Sequence, residues 1–130
     1  MDHTAEATPA TVHGKAVQDA LRGPTRALRR EIPDVYKGFA ALHAAALAPG
    51  ALDAKTKELI ALALSVMTHC DGCIAAHARG AATHGATRQE VAEAIGVTLL
   101  MAGGPATTYG PRALAAFTEF QEALAAVEVA

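Results

Sequence analysis

The chain has 130 residues, of which 52% are hydrophobic and 4% aromatic, and its formal net charge at pH 7 is −2. This length corresponds to one domain that is large enough to bury a core. The near balance of charge argues against nucleic acid or anionic lipid as a partner, and the abundance of Ala, the best helix former, predicts an all-α fold.

The start of the chain has no targeting pattern. Residues 1–14 are polar and rich in Thr, so we expect a flexible tail there and a single domain over residues 15–130. No positively charged segment precedes an apolar one, which argues against a signal peptide. The apolar runs are too short to cross a bilayer. The sequence therefore predicts a cytoplasmic protein without a membrane partner.

Helical periodicity and helix-breaking residues predict a series of helices and no strand. A short helix from Lys15 to Leu21 is expected to end at Gly23-Pro24, and Thr25–Glu31 is its expected continuation. The further predicted helices run from Pro33 to a stop at Pro49-Gly50, from Asp53 to Met67, from Asp71 to His84, from Thr87 to Gly103, and from Thr107 to Val127.

Helix starts and buried faces can also be predicted. Asp53 is a candidate N-cap, and Thr87 with Glu90 has the spacing of a capping box. Apolar residues that recur at helical spacing predict a buried stripe on each of three helices. The stripes are Val35, Phe39, Leu42 and Ala46; then Val91, Ile95 and Leu99; and finally Leu114, Phe117, Phe120 or Gln121, and Leu124.

The reactive side chains are concentrated in one stretch, residues 58–77, which reads ELIALALSVMTHCDGCIAAH. It contains both cysteines of the chain, Cys70 and Cys73, in a C-x-x-C spacing, together with His69 and His77. Any chemistry of this protein is expected here. The other four histidines carry no comparable signal: His3, His13, His43 and His84.

The first half of this stretch predicts a central helix, because Ser65 is the only polar residue between Leu59 and Met67. Glu58, Ser65 and His69 would share one face of such a helix. On a straight helix, however, Glu58 lies about 18 Å from the first cysteine. It approaches the cysteine pair only if the next helix folds back antiparallel.

The second half predicts a redox site. Cys70, Cys73 and His77 lie at i, i+3 and i+7, on one face of the helix that starts there. The helix N-terminus lowers the pKa of a thiol and so raises the thiolate fraction. A thiolate, a second thiol and a proton relay through His77 and Glu58 are the parts needed for peroxide reduction or disulfide exchange. The helix start alone favours Cys70 as the nucleophile, whereas the spacing to His77 favours Cys73.

Each of these residues also has a simpler interpretation. The two cysteines with His69 or His77 would form a Cys2His2 metal set, although four ligands from one short stretch close a tetrahedron with difficulty. The cysteines would otherwise act as small buried hydrophobic residues, and Glu58 as a first-turn residue that favours the helix dipole. We therefore expect no metal and no cofactor, with His69 as an auxiliary residue of the site.

The pattern E-x11-C-x-x-C-x3-H, formed by Glu58, Cys70, Cys73 and His77, resembles the AhpD-like alkylhydroperoxidases of the carboxymuconolactone decarboxylase superfamily. The flanking sequences HCDGCIAAHARGAATHGATRQEVAEAIGV and MAGGPATTYGPRA are also similar to small single-domain members. The resemblance covers approximately Pro33 to Phe120 and rests on four chemical residues at fixed spacing.

The resemblance implies a single-domain helical fold in which a central antiparallel helix pair carries the C-x-x-C, and assembly into homotrimers or hexamers. It implies a thiol-dependent peroxidase in which Cys73 attacks a hydroperoxide, Cys70 resolves the sulfenic acid as a disulfide, and Glu58 and His77 relay protons. The implied partners are an organic hydroperoxide and a thiol electron-donor protein, in an antioxidant role.

One departure from the family pattern affects this expectation. The well-known peroxidases carry a histidine directly before the second cysteine, where this chain has Gly72, and here His69 precedes the first cysteine instead. A general thiol-disulfide oxidoreductase is therefore one alternative. A carboxymuconolactone decarboxylase-like enzyme and a metal-binding or structural oligomeric module are the others.

Overall fold

A computed structural model describes residues 13–129 and shows six helices and no strand within that range, which confirms the all-α class. The predicted tail, residues 1–14, lies outside the described residues except for His13 and Gly14. None of the helices over residues 13–129 combines the length and the apolar character needed to cross a membrane. The helices are α1 (Gly14–Glu31), α2 (Pro33–Leu47), α3 (Ala54–Met67), α4 (Asp71–Thr83), α5 (Arg88–Ala102) and α6 (Gly104–Val129).

The central pair consists of α3 and α4, which pack against each other and against α6. The connection between them is only residues 68–70, and it is closed by a hydrogen bond from the Cys70 N–H to the Ser65 carbonyl at 3.2 Å. So short a turn makes the two helices antiparallel neighbours. The start of α3 therefore lies beside the second half of α4, as the resemblance implied.

The core between these helices combines alanines with a few larger side chains. Leu62, Val66, Ile74 and Phe117 are fully buried. Because an alanine projects little from the helix surface, it lets two helix backbones approach closely. The fully buried alanines of α4 and α6 are Ala75, Ala78, Ala81, Ala113 and Ala116.

The prediction that the first helix ends at Gly23-Pro24 is wrong, because α1 continues through Pro24 to Glu31. A proline inside a helix leaves the carbonyl four residues earlier without its N–H partner. Here that carbonyl belongs to Ala20, which is exposed and so accessible to water. The missing hydrogen bond therefore costs less free energy than it would in a buried helix.

The predicted stripe of α2 is not buried in the protomer. Val35, Phe39 and Leu42 are each more than 60% exposed, and α2 has no buried residue. The periodicity correctly indicated a helix with an apolar face, but α2 makes few contacts with the rest of the chain. Periodicity predicts that a face is apolar and does not identify what covers it.

The other two stripes are largely confirmed, with one correction in each. In α5, Val91 and Ile95 are buried but Leu99 is 41% exposed, and Thr98 occupies the buried position instead. The Thr98 hydroxyl is satisfied by donating to the Ile95 carbonyl at 2.6 Å. In α6, Phe117 and Phe120 are buried, whereas Leu124 is 39% exposed near the end of the helix.

Candidate active site

The two cysteines form a disulfide at the N-terminus of α4, with their Cα atoms 5.2 Å apart. Cys70 is the N-cap of the helix, and Cys73 lies in its first turn. The Cys70 sulfur accepts a hydrogen bond from the Cys73 N–H at 3.2 Å. Cys73 is exposed and Cys70 is half-buried. An incoming reagent therefore reaches Cys73 more easily, while the helix terminus stabilises negative charge on Cys70.

Glu58 and His77 are brought together by the antiparallel packing of α3 and α4. The Oε2 atom of Glu58 lies 2.8 Å from Nδ1 of His77. The glutamate is only 6% exposed, and the His77 side chain is 18% exposed. His77 is one helical turn after Cys73 on the same face of α4, and it accordingly joins the buried carboxylate of α3 to the face of α4 that carries the exposed cysteine. This geometry fits a proton relay that ends at the cysteine pair.

A glycine makes room for the buried carboxylate. Gly80 lies one turn after His77 on α4, and a Cβ atom at this position would overlap the carboxylate of Glu58. The carboxylate thus lies directly on the backbone of α4. Gly80 could not be predicted as part of the site, because the sequence does not distinguish it from a helical glycine such as Gly96, which has no neighbour within 4 Å among the described residues.

The first turn of α3, which leads into Glu58, is fixed by two polar contacts. As predicted, Asp53 is the N-cap, since its carboxylate accepts from the Thr56 N–H at 2.7 Å. Hydrogen bonding with Thr56, through its side chain first and its N–H second, lowers the pKa of the Asp53 carboxyl. Lys55 forms an ion pair with Glu90 of α5 at 2.9 Å, which raises the pKa of Lys55 and lowers that of Glu90.

The carboxymuconolactone decarboxylase family model matches residues 33–129. The chain belongs to the carboxymuconolactone decarboxylase family. This confirms the resemblance seen in the sequence. The matched segment contains α2 to α6, and with them all four residues of the predicted site, whereas α1 precedes it.

Relatives within the family share much of the chain. An uncharacterised protein of Cupriavidus necator is 41% identical over 91 residues, which are 70% of this chain and 80% of that protein. An uncharacterised protein of Haemophilus influenzae is 45% identical over 91 residues, with the same coverage of each chain.

Solved structures of the family have the same fold. A family protein from Legionella pneumophila is 43% identical, with a TM-score of 0.76 over 79% of this chain and 92% of that one. A crystal structure from Thermotoga maritima is 36% identical, with a TM-score of 0.62 over 67% of this chain and 90% of that one. For the Thermotoga family protein, an involvement in the antioxidative response has been suggested.

A third helix contributes a residue that the sequence analysis set aside. His43 of α2 lies against His77, with ring centroids 5.9 Å apart and ring planes at 15°. His43 also contacts Phe39 at a centroid distance of 6.3 Å. No local pattern marks this residue, because the contact joins helices that are more than 30 positions apart in the chain. The Glu58–His77 pair thus has a second imidazole beside it, on an exposed residue.

His69 is not on the face of α3 with Glu58, so that prediction is wrong. The helix ends at Met67, and His69 follows in a left-handed conformation with φ of 55°. The end of α4 has the same hydrogen-bond pattern with a glycine, Gly85, at the equivalent place. His69 therefore occupies a position that favours glycine.

The His69 ring instead stacks on Tyr109 of α6, with centroids 4.6 Å apart and planes at 9°. The guanidinium of Arg112 lies 4.7 Å from the centre of the same ring and 3.5 Å from the Asp71 carboxylate. The residues on either side of Cys70, His69 and Asp71, are thereby both held by α6.

The described residues, 13–129, contain no group of three or more His, Cys, Asp or Glu side chains that is arranged to hold a metal ion. The thiol ligands of the hypothetical Cys2His2 set are joined to each other as a disulfide. His69 and His77 point to separate neighbours, Tyr109 and Glu58 respectively. This arrangement provides redox and proton-transfer groups.

Proposed function

We propose that this protein is a thiol-dependent peroxidase that reduces organic hydroperoxides through a dithiol/disulfide cycle of Cys70 and Cys73, in an antioxidant role. The observation that carries the proposal is the hydrogen bond between buried Glu58 and His77, one helical turn from the exposed cysteine of the pair. A disulfide that serves only stability has no need of a buried proton relay beside it.

The first step uses the reduced form. The Cys73 thiolate attacks the terminal oxygen of the hydroperoxide, and the O–O bond breaks as the S–O bond forms. Cys73 becomes a sulfenic acid, and the departing alkoxide takes a proton from His77 to leave as an alcohol. Glu58 stabilises the charged imidazole before this transfer and orients its ring. Cys73 is assigned the attack because it is the more exposed cysteine and the one nearer to His77.

The second step forms the disulfide. The Cys70 thiolate, stabilised by the Cys73 N–H, attacks the Cys73 sulfur and displaces hydroxide, which is protonated to water. The sum is one hydroperoxide and one dithiol converted to one alcohol, one water and one disulfide. A thiol electron-donor protein then attacks Cys73, and Cys70 is the leaving thiolate. The same N–H contact therefore supports both formation and reduction of the disulfide.

The suggested antioxidative involvement of the Thermotoga maritima family protein, 36% identical to this chain, supports the antioxidant role. The contacts of the disulfide support the assignment of roles within the cycle, since they give the two sulfurs different exposure and different hydrogen bonding.

The proposal is tested by following peroxide consumption with a dithiol reductant. We expect Cys73→Ser to abolish consumption and Cys70→Ser to leave a single oxidation of Cys73 that traps a sulfenic acid. Glu58→Gln should lower the turnover rate by roughly 10²-fold or more, since it removes the general acid–base relay. Glu93→Gln, which changes an exposed carboxylate of α5, is the matched control and should leave the rate unchanged.

If oxidation persists at Cys70 in Cys73→Ser while Cys70→Ser does not react, the assignment of the nucleophile is reversed. If neither cysteine variant alters peroxide consumption, the redox proposal fails.

A general thiol-disulfide oxidoreductase is the second candidate. It is favoured by Gly72, which stands where the well-known peroxidases have a histidine. Asp71 is therefore the only residue between Cys70 and Cys73 that has an ionisable side chain. A disulfide-exchange assay with a model peptide separates the two: an oxidoreductase exchanges disulfides rapidly whether or not Glu58 is intact, whereas peroxide turnover requires it.

A further inference from the structure

A leucine of α1 lies against the turn that holds the two cysteines. Gly72 is between Cys70 and Cys73 in the first turn of α4, and a Cβ atom built on it would be 3.2 Å from a terminal methyl of Leu21. Among the described residues, 13–129, and apart from the chain neighbours of Gly72 and the backbone of α4, no other heavy atom lies within 4 Å of that point. The Leu21 methyl therefore packs against the backbone of the C-x-x-C turn, at the residue that precedes Cys73.

Only part of Leu21 is used in this contact. The residue is 47% exposed, so part of it is accessible to solvent while one methyl contacts the cysteine turn. The cation that follows it, Arg22, is paired with Asp19 at 3.0 Å, on its own helix. The contact that α1 makes at Gly72 is thus apolar.

The position of Leu21 is fixed by polar contacts of α1. The Lys15 N–H at the start of α1 donates to the Glu119 carboxylate at 2.9 Å. One turn before Leu21, the Gln18 side chain accepts from Arg79 of α4 at 3.4 Å. α1 is therefore held to both α4 and α6, and Leu21 is presented by a helix that is anchored on the same scaffold as the cysteines.

We infer that Leu21 is a specificity-determining residue of the cysteine site: its exposed methyl groups contact the alkyl part of a reagent whose reactive atom approaches Cys73. An apolar group at this place adds contact area for an alkyl chain and none for a reagent that lacks one. The site is consequently selective for reagents with an alkyl chain beside the reacting atom. For hydroperoxides, this inference rests on the proposed function.

The first test does not depend on peroxidase activity. The reduced protein is alkylated with iodoacetamide and with its N-hexyl derivative, which share one electrophile and differ only in the alkyl chain. We expect the ratio of the N-hexyl rate to the iodoacetamide rate to fall roughly threefold to tenfold in Leu21→Ala, through loss of apolar contact. Leu21→Gln, which keeps the length but not the apolar character, should give the same fall, and Leu21→Met should keep the ratio.

The matched control is Leu28→Ala. Leu28 is on the same helix, about 10 Å further along its axis, and is 50% exposed. The inference is overturned if the ratio of the two alkylation rates stays unchanged or rises in Leu21→Ala. It is also overturned if the ratio falls equally in Leu28→Ala. A fall in Leu21→Ala without one in Leu21→Gln would also overturn it, because bulk rather than apolar character would then matter.

The second test compares cumene hydroperoxide with hydrogen peroxide as substrates. Leu21→Ala should lower the preference for cumene hydroperoxide by a similar factor and leave the rate with hydrogen peroxide unchanged. A protein that consumes neither peroxide contradicts the proposed function, and the alkylation ratios still decide the role of Leu21. If the protein consumes peroxide but Leu21→Ala does not change its preference for cumene hydroperoxide, the role of Leu21 is contradicted and the proposed function is not.

Discussion

At the scale of single residues, the site is built around a carboxylate that is almost removed from water. Glu58 is 6% exposed, and among residues 13–129 its side chain hydrogen-bonds to His77 alone. A buried carboxylate is costly unless it is paired, and the His77 ring supplies that partner. The close approach of α4 at Gly80 sets the distance at which this pairing occurs.

Substituting Gly80 therefore tests the geometry of the pair. In Gly80→Ala the added methyl displaces the Glu58 carboxylate, and we expect a loss of stability of about 1–3 kcal/mol from overpacking, together with reduced peroxide turnover. Thermal unfolding and the peroxide assay measure the two effects.

Gly96→Ala is the matched control for this substitution. Gly96 also lies inside a helix, but nothing surrounds its Cβ position within 4 Å. Its replacement should raise stability by about 0.5–1 kcal/mol, because Ala is the better helix former. A Gly80→Ala protein that gains stability as Gly96→Ala does would show that the carboxylate is not held against α4.

At the scale of helices, the starts of α3 and α5 are joined by polar contacts. Thr87 and Glu90 form the predicted capping box, with the Glu90 N–H donating to the Thr87 hydroxyl at 3.1 Å. The Glu90 carboxylate also accepts from the Thr87 N–H at 3.0 Å and pairs with Lys55 of α3. One carboxylate thus caps α5 and ties it to the helix that carries Glu58.

These contacts predict a pH dependence of stability. The pKa of Glu90 is lowered in the folded state, chiefly by Lys55, so its contribution is present above the ordinary glutamate pKa and is lost as pH falls through the lowered value. We expect Glu90→Gln to lower the melting temperature slightly near pH 7. This difference should shrink as the pH falls below the ordinary glutamate pKa of about 4.3 and vanish below the lowered value.

Melting curves of both proteins between acidic and neutral pH measure this difference. Glu93→Gln, on the exposed side of the same helix, is the control and should show no such trend. A Glu90→Gln difference that stays constant over this pH range would mean that the charge of Glu90 is not responsible.

At the scale of the whole molecule, large apolar side chains of two helices are exposed to solvent. Three large residues of α2 are more than 60% exposed, and Leu100 and Met101 near the end of α5 are 81% and 70% exposed. Contiguous apolar patches of this kind mark interaction sites. We propose that further copies of this chain cover them, as expected for a homotrimer or hexamer.

The mass in solution tests this proposal. Light scattering should give a multiple of the 13.3 kDa protomer mass at micromolar concentration, because obligate interfaces of this type commonly bury more than about 2,000 Å². Phe39→Asp should reduce that mass, since it places a charge in the apolar face of α2. Val129→Asp, at an apolar residue that is even more exposed and lies at the end of α6, should not. A wild-type protein of protomer mass would contradict the proposal.

Most helices and the chemical residues could be predicted from the sequence, because both depend on local spacing. The capping box at Thr87, the N-cap at Asp53 and the start of α4 at the C-x-x-C are set by residues three or four positions apart, and the structure confirms them. Spacing on one helix also placed Cys73 and His77 on a common face.

What each of these helices faces depends on how the helices pack, and no local spacing predicts it. The partnership of Glu58 with His77 depends on the antiparallel turn after Met67, and the addition of His43 and Leu21 depends on where α2 and α1 pack. The exposure of α2 likewise could not be predicted, since an apolar stripe is the same sequence pattern whether its partner lies in the same chain or in another. Contacts between distant segments follow from the packing of the whole core, which no local pattern contains.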